Sequence, residues 1–130
     1  MRLRLAALCI VVLAFPLGAA AGSRALVATF KASGHTPTVN KHWPWSVTAS
    51  SGGKAVAGTV TAQVIDPLKN VHAVEFGGVH NRFVTNVKFK GRFADFVIFP
   101  PISRGVSVTF RVTVKTAIGK KVFNYPVQAK

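Results

Sequence analysis

The sequence predicts an all-β chain, an antiparallel β-sandwich of seven to eight strands, with a small closed barrel as the runner-up. Three observations predict it. Apolar and polar residues alternate with period two in several runs, most cleanly over Val106–Lys115. Turn formers separate the runs: Gly52-Gly53, Asp66-Pro67, Gly77-Gly78, Pro100-Pro101 and Gly119. Their spacing of roughly 8–12 residues is that of short antiparallel strands. Beyond residue 21, no run keeps the three-and-four spacing of an amphipathic helix.

The first residues read as a leader, not as part of the fold. Met1–Arg4 is short and basic, Leu5–Leu17 is apolar apart from Pro16, and Gly18–Ala21 offers an A-x-A cleavage site before Gly22. That is the pattern of a secretory signal peptide over residues 1–21. A retained anchor is the alternative, but Leu5–Ala21 is at the short limit of a span and carries a proline. Cleavage leaves residues 22–130 as one domain, secreted or extracellular, with a length that allows one modest core. Cys9 is the only cysteine and lies within the leader, so the mature chain can form no disulfide.

Arg24–Lys31 reads as a first strand with Leu26, Ala28 and Phe30 on one face. Ala32–Asn40 is a loop rich in turn formers. A hairpin follows, with a strand near Trp45–Ser50, a turn over Ser51–Lys54 and a return near Val56–Ile65. Gly52-Gly53 supplies the positive φ that a tight hairpin needs. Pro44 has no N–H to donate and is expected at the strand's start. Trp45 then centres a core, whereas Trp43 is the better candidate for an exposed ligand platform. Asp66–Asn70 is a second turn in which Asp66 caps and Pro67 sets the corner.

Val71–Phe76 is a short strand and Val79–Arg82 a loop. Phe83–Phe89 is a further strand, with Gly91 a break or bulge. Phe93–Phe99 is almost wholly apolar, as for a strand covered on both sides or ending at a core edge. Val106–Lys115 has one dry and one wet face. Ala117–Lys120 turns the chain, and Lys121–Gln128 closes it with Phe123, Tyr125 and Val127 inward. Pro126 marks an edge.

The run P-W-x-x-T-x-x-S-G-G-x-x-V-x-G-T-V over Pro44–Val60 and the Tyr125-Pro126-Val127 ending resemble small secreted bacterial immunoglobulin-like domains of the kind common in actinobacteria. The resemblance implies an immunoglobulin-like or fibronectin III-like sandwich in an extracellular setting. It carries over no catalytic residue. The inter-sheet disulfide of antibody domains has no cysteines to form it here.

The chemistry available is limited. The chain holds three acids and four histidines, with no Gly-x-Ser-x-Gly and, after cleavage, no thiol. A nucleophile–base–acid set or a carboxylate pair would have to draw on Asp66, Glu75 and Asp95. No catalytic residue, metal site or cofactor is expected. His72 and Glu75 fall on opposite strand faces, and the histidine spacings match no zinc or copper motif. Charge is the informative feature. Removing Arg2 and Arg4 takes the formal charge from +14 to +12, so the chain will associate with polyanions. Lys88, Lys90 and Arg92 alternate with Phe89, Gly91 and Phe93, and in an extended segment they form a cationic stripe. Arg111 and Lys115 line the wet face of their strand, and Lys120 and Lys121 cap the last turn.

Two functions follow as expectations. One is a non-enzymatic interaction or structural module at the cell envelope, partnered by an envelope protein. The other is a polyanion-binding module for anionic wall polymer, acidic lipid or polysaccharide, using Lys88, Lys90, Arg92, Arg111 and Lys115. Specific nucleic-acid binding is disfavoured, because the phenylalanines alternate away from the cationic face where bases would stack.

Overall fold

A computed structural model describes residues 24–74, 76 and 86–130. The leader over 1–21, Glu75, and the segments read as the Val79–Arg82 loop and the start of the Phe83–Phe89 strand lie outside the described residues. The rest is all-β, with two antiparallel sheets packed face to face in the manner of a β-sandwich. Among the described residues no helix is long and apolar enough to cross a membrane.

The strands are β1 (Val27–Ala32), β2 (His42–Ser51), β3 (Lys54–Ala55), β4 (Ala57–Ile65), β5 (Val71–Ala73), β6 (Val87–Lys90), β7 (Arg92–Ile98), β8 (Ser107–Thr116) and β9 (Gly119–Gln128). In the first sheet β2 is central, with β1 on one side and β7 and β3 end to end on the other. In the second sheet β9, β8 and β4 lie in order, and β5 and β6 share the far side of β4. A 3-10 turn, Pro101–Ser103, links β7 to β8.

Alternation produces this architecture directly. Val108, Phe110, Val112 and Val114 face inward from β8, and Val60 and Ala62 from β4. Trp43, Trp45, Val47 and Ala49 meet them from β2. Aromatic rings fill the centre. Phe110 lies 6.1 Å from Phe30, 5.2 Å from Trp43 and 5.4 Å from Trp45, measured between ring centroids, and two of these contacts are edge-on. Such geometry aligns ring edges with ring faces and adds to simple burial.

The two sheets are joined at one side by a corner. At Val56 and at Gly91 the chain leaves one sheet for the other, so β3 continues into β4, and β6 into β7. Three backbone bonds close a ring there. Ala49 N–H donates to Gly91 O at 2.8 Å, Gly91 N–H to Val56 O at 3.0 Å, and Val56 N–H to Ala49 O at 3.1 Å. Gly91 has φ +76, which favours glycine, and a Cβ there would lie 2.9 Å from Ala55 Cβ. On the other side, Gln128 and Lys130 N–H donate to His35 O and Pro37 O, each at 2.8 Å, tying the β1–β2 loop to the chain's end.

Several expectations are corrected here. The hairpin at Gly52-Gly53 is real, and both glycines have positive φ, but it pairs only Ser50–Ala55 and Ser51–Lys54. Beyond Val56 the return strand belongs to the other sheet and pairs with β8. Pro44 lies within β2, not at its start. Its carbonyl accepts from Ser33, so its missing N–H faces the end of β1, where that ladder stops, and the pairing with β7 on the other side is untouched. Trp43 is no exposed platform: it is 3% exposed and its indole N–H donates to Gly34 O at 2.9 Å. Segment Phe93–Phe99 is not covered on both faces. Phe93, Asp95, Val97 and Phe99 turn inward, while Ile98 is exposed.

Candidate functional site

The second sheet's outer face carries Lys88, Lys90, Arg111 and Lys115 of the cations that the sequence singled out, though not in a single stripe. Thr59 on β4 pairs with Lys88 on one side and with Lys115 on the other, and Lys115 pairs with Lys120. Paired residues share a face, so Lys88, Thr59, Lys115 and Lys120 form one row across four strands. Lys115 and Lys120 are nearest neighbours at about 5 Å, and Lys88 stands roughly 10 Å from Lys115. Lys90 lies beside the row, opposite Ala57. Among the described residues none of these lysines forms an ion pair.

The same face continues with short polar side chains. Thr61 donates to Asn86 Oδ1 at 2.6 Å, and Arg111 Nε donates to Asn124 Oδ1 at 2.9 Å. Arg111 is thus two rows from the lysines and already engaged. Arg92 is not on this face at all. The crossing at Gly91 puts it opposite Thr48 on the first sheet, where it lines a shallow depression with Lys31, Ser46 and Ala94. The structure therefore brings together Lys88, Lys90 and Lys115 of the expected set, adds Lys120, and separates Arg92. No aromatic side chain stands in the row, since Phe89 and Phe93 pack onto the core.

A second feature lies at the opposite end of the same strands. A cleft of about 820 Å³ opens between the end of β7, the 3-10 turn and the β4–β5 connection, lined among others by Val74, Phe96, Ile98, Ile102, Val106 and Val108. Asp66 and His72 stand at its wall, with His72 Nε2 3.0 Å from Asp66 Oδ2. Asp66 also accepts from Asn70 N–H at 2.9 Å and Asn70 Nδ2 at 3.0 Å, the capping role expected of it.

These bonds, His72's first, lower the Asp66 carboxyl from its ordinary 3.8 to about 2. A carboxylate whose folded value lies below its unfolded one stabilises the fold fully above the unfolded value. That contribution disappears as pH falls from 3.8 toward 2. An Asp66→Asn variant is therefore expected to be less stable than the parent at neutral pH and to converge with it under acid. Urea midpoints of the two proteins across pH check this; a gap that stays constant with pH would contradict it.

Asp66, His72 and Ser103 all line the cleft, the residue types of a hydrolytic triad. They are not joined as one. Ser103 Oγ donates to Pro100 O at 2.6 Å, and no hydrogen bond links it to His72 among the described residues. Asp95 is buried beside Trp45 in the opposite sheet, away from the cleft's polar groups. Among the described residues no three His, Cys, Asp or Glu side chains stand close enough to hold a metal ion. No family model, curated protein or solved structure matches the chain.

Proposed function

We propose that this chain is an exported, non-enzymatic immunoglobulin-like module that works by binding at the cell envelope, and that its lysine face holds an anionic polymer there. The strand order supports the fold type. Taking β1, β2 and β7 as strands A, B and E, and β4, β8 and β9 as C, F and G, gives ABE facing CFG.

The observation that carries the binding reading is the pairing of Lys115 with Lys120 in line with Lys88. Like charges placed directly opposite on a sheet destabilise it. No carboxylate relieves them among the described residues. An anion lying across the row would. Lysine suits phosphate as a point charge, whereas planar bidentate capture of carboxylate favours arginine. Thr59 between Lys88 and Lys115 and the lack of rings fit a flexible polyol-phosphate chain better than stacked bases.

The test is retention on wall sacculi with and without their anionic polymers, as a function of salt. Lys88→Ala with Lys115→Ala and Lys120→Ala is expected to weaken binding and to lower the log–log salt slope by about 3, one per phosphate contact. A control triple variant at Lys31, Lys41 and Lys54 removes the same charge elsewhere and should retain most of the binding. Equal losses in both variants would reduce the effect to net charge and remove the case for this face.

A further inference from the structure

Three connections meet at the end of the sandwich where β4 stops and β8 begins: residues 33–41, 66–70 and 99–106. Two of them present aliphatic tips. Leu68 is 83% exposed and Ile102 88%, more than any other large hydrophobic side chain among the described residues. Ile98 and Val106 are exposed beside Ile102 at the mouth of the apolar cleft. Neither tip supports the core.

Both tips are held out by their own turns. The β4–β5 turn is closed by Lys69 N–H to Asp66 O at 2.9 Å and Asp66 N–H to Asn70 O at 3.0 Å, with Lys69 at φ +69. Ile102 sits in the 3-10 turn, closed by Ser103 N–H to Pro100 O at 2.9 Å and Arg104 N–H to Pro101 O at 3.1 Å. Presenting them to a partner needs no reordering of the chain.

Cations collar the tips. Lys69 directly follows Leu68, Arg104 follows Ile102 by two positions, and Lys41 and Lys130 belong to the same end. The carboxylate of the described residues at this end, Asp66, is engaged by Asn70 and His72. A polymer of anions would use the collar and leave the tips in water. A protein groove would use the tips, but would use the collar only if it were rimmed with carboxylates. An anionic lipid surface uses both: aliphatic tips enter the acyl boundary while lysine and arginine stay among the headgroups.

We infer that this end of the sandwich docks on an anionic lipid bilayer, with Leu68 and Ile102 inserted and Lys69 and Arg104 at headgroup depth. The inference does not depend on the lysine row, which lies at the other end of β4 and β8.

Insertion is read site by site in the full chain. A Cys9→Ser background carries Leu68→Cys, Ile102→Cys or Val122→Cys, each labelled with an environment-sensitive fluorophore. Val122 is exposed on the outer face of β9, away from the tips. With phosphatidylcholine vesicles containing phosphatidylglycerol, emission at positions 68 and 102 shifts to the blue and becomes open to quenchers in the bilayer, while emission at 122 stays aqueous. Phosphatidylcholine alone produces no shift. Lys69→Glu with Arg104→Glu lowers the vesicle affinity by about tenfold or more. The Lys88/Lys115/Lys120→Ala variant keeps the shift at 68, which separates this site from the polymer face. No shift at 68 and 102, or an equal shift at 122, overturns the inference; the first outcome leaves a protein as the partner of the tips.

Discussion

A Phe110→Ala variant is expected to lose about 3–5 kcal/mol of unfolding free energy. Phe110 is fully buried, and its ring is the one that Phe30, Trp43 and Trp45 all pack against. Those neighbours come from β1 and β2 of the facing sheet, so the cavity would open at the interface between the sheets, not within one. Large rings collapse poorly into such a space, and the lost edge-to-face contacts add to the lost burial. A domain of this size has about 5–15 kcal/mol to lose. No disulfide is available to offset the loss. Equilibrium urea denaturation should show a large fall in midpoint at unchanged m-value. Thr113→Ala, on the wet face of the same strand, should stay within about 0.5 kcal/mol of the parent. A Phe110→Ala loss no larger than that of Thr113→Ala would mean the sheets do not pack as described.

The second large effect is expected at Gly91. Gly91→Val should cost roughly 3 kcal/mol, combining a left-handed backbone with a crowded site. Gly53 separates the two causes, because it has the same φ of +76 but nothing within 4 Å of an added Cβ. At Gly91 that Cβ meets Ala55 at 2.9 Å, inside the ring of backbone bonds where the sheets join. Gly53→Val should therefore lose only the backbone share, about 1–2 kcal/mol. Paired denaturation curves measure the difference. Equal losses would show that the corner gives way to a side chain and that its close packing contributes little.

Period two made most of the strands legible. Val106–Lys115 and the ending through Phe123, Tyr125 and Val127 alternate with few exceptions, and both lie where the pattern puts them. Gly52-Gly53 and Asp66–Asn70 were legible because their turns need particular residues. The crossings at Val56 and Gly91 were not. A strand that bends from one sheet to the next keeps its inward and outward alternation, so nothing in the pattern changes where its partners do. For the same reason Lys88, Lys90 and Arg92 read as one stripe although Arg92 belongs to the other sheet.

With Pro44 read as the strand's start, the sequence leaves the exposure of Trp43 open. Trp43 has the same parity as Trp45 and Val47, and the inward face runs through the proline without a break. Lys120 was hidden by register. The hairpin loop is only Ala117-Ile118, with Thr116 opposite Gly119, and that short loop is what sets Lys120 against Lys115. Neither residue announces so tight a turn. The aliphatic end was equally hidden, because Leu68 and Ile102 read singly as loop residues until the topology puts their turns side by side.

The long registers of β8 have a mechanical consequence. β8 pairs along its whole length with β9 and, over eight positions, with β4, and these strands run from the lysine row to the aliphatic tips, about 30 Å. Tension applied between the two ends would act along the strands. The ladder bonds, lying across the strands, would share that load in shear and would have to give together, not open one after another as in a peeled hairpin. Resistance to such a pull is set by the unfolding rate, not by equilibrium stability. Held at both ends, the domain would behave as a stiff tie whose yield point depends on β4, β8 and β9.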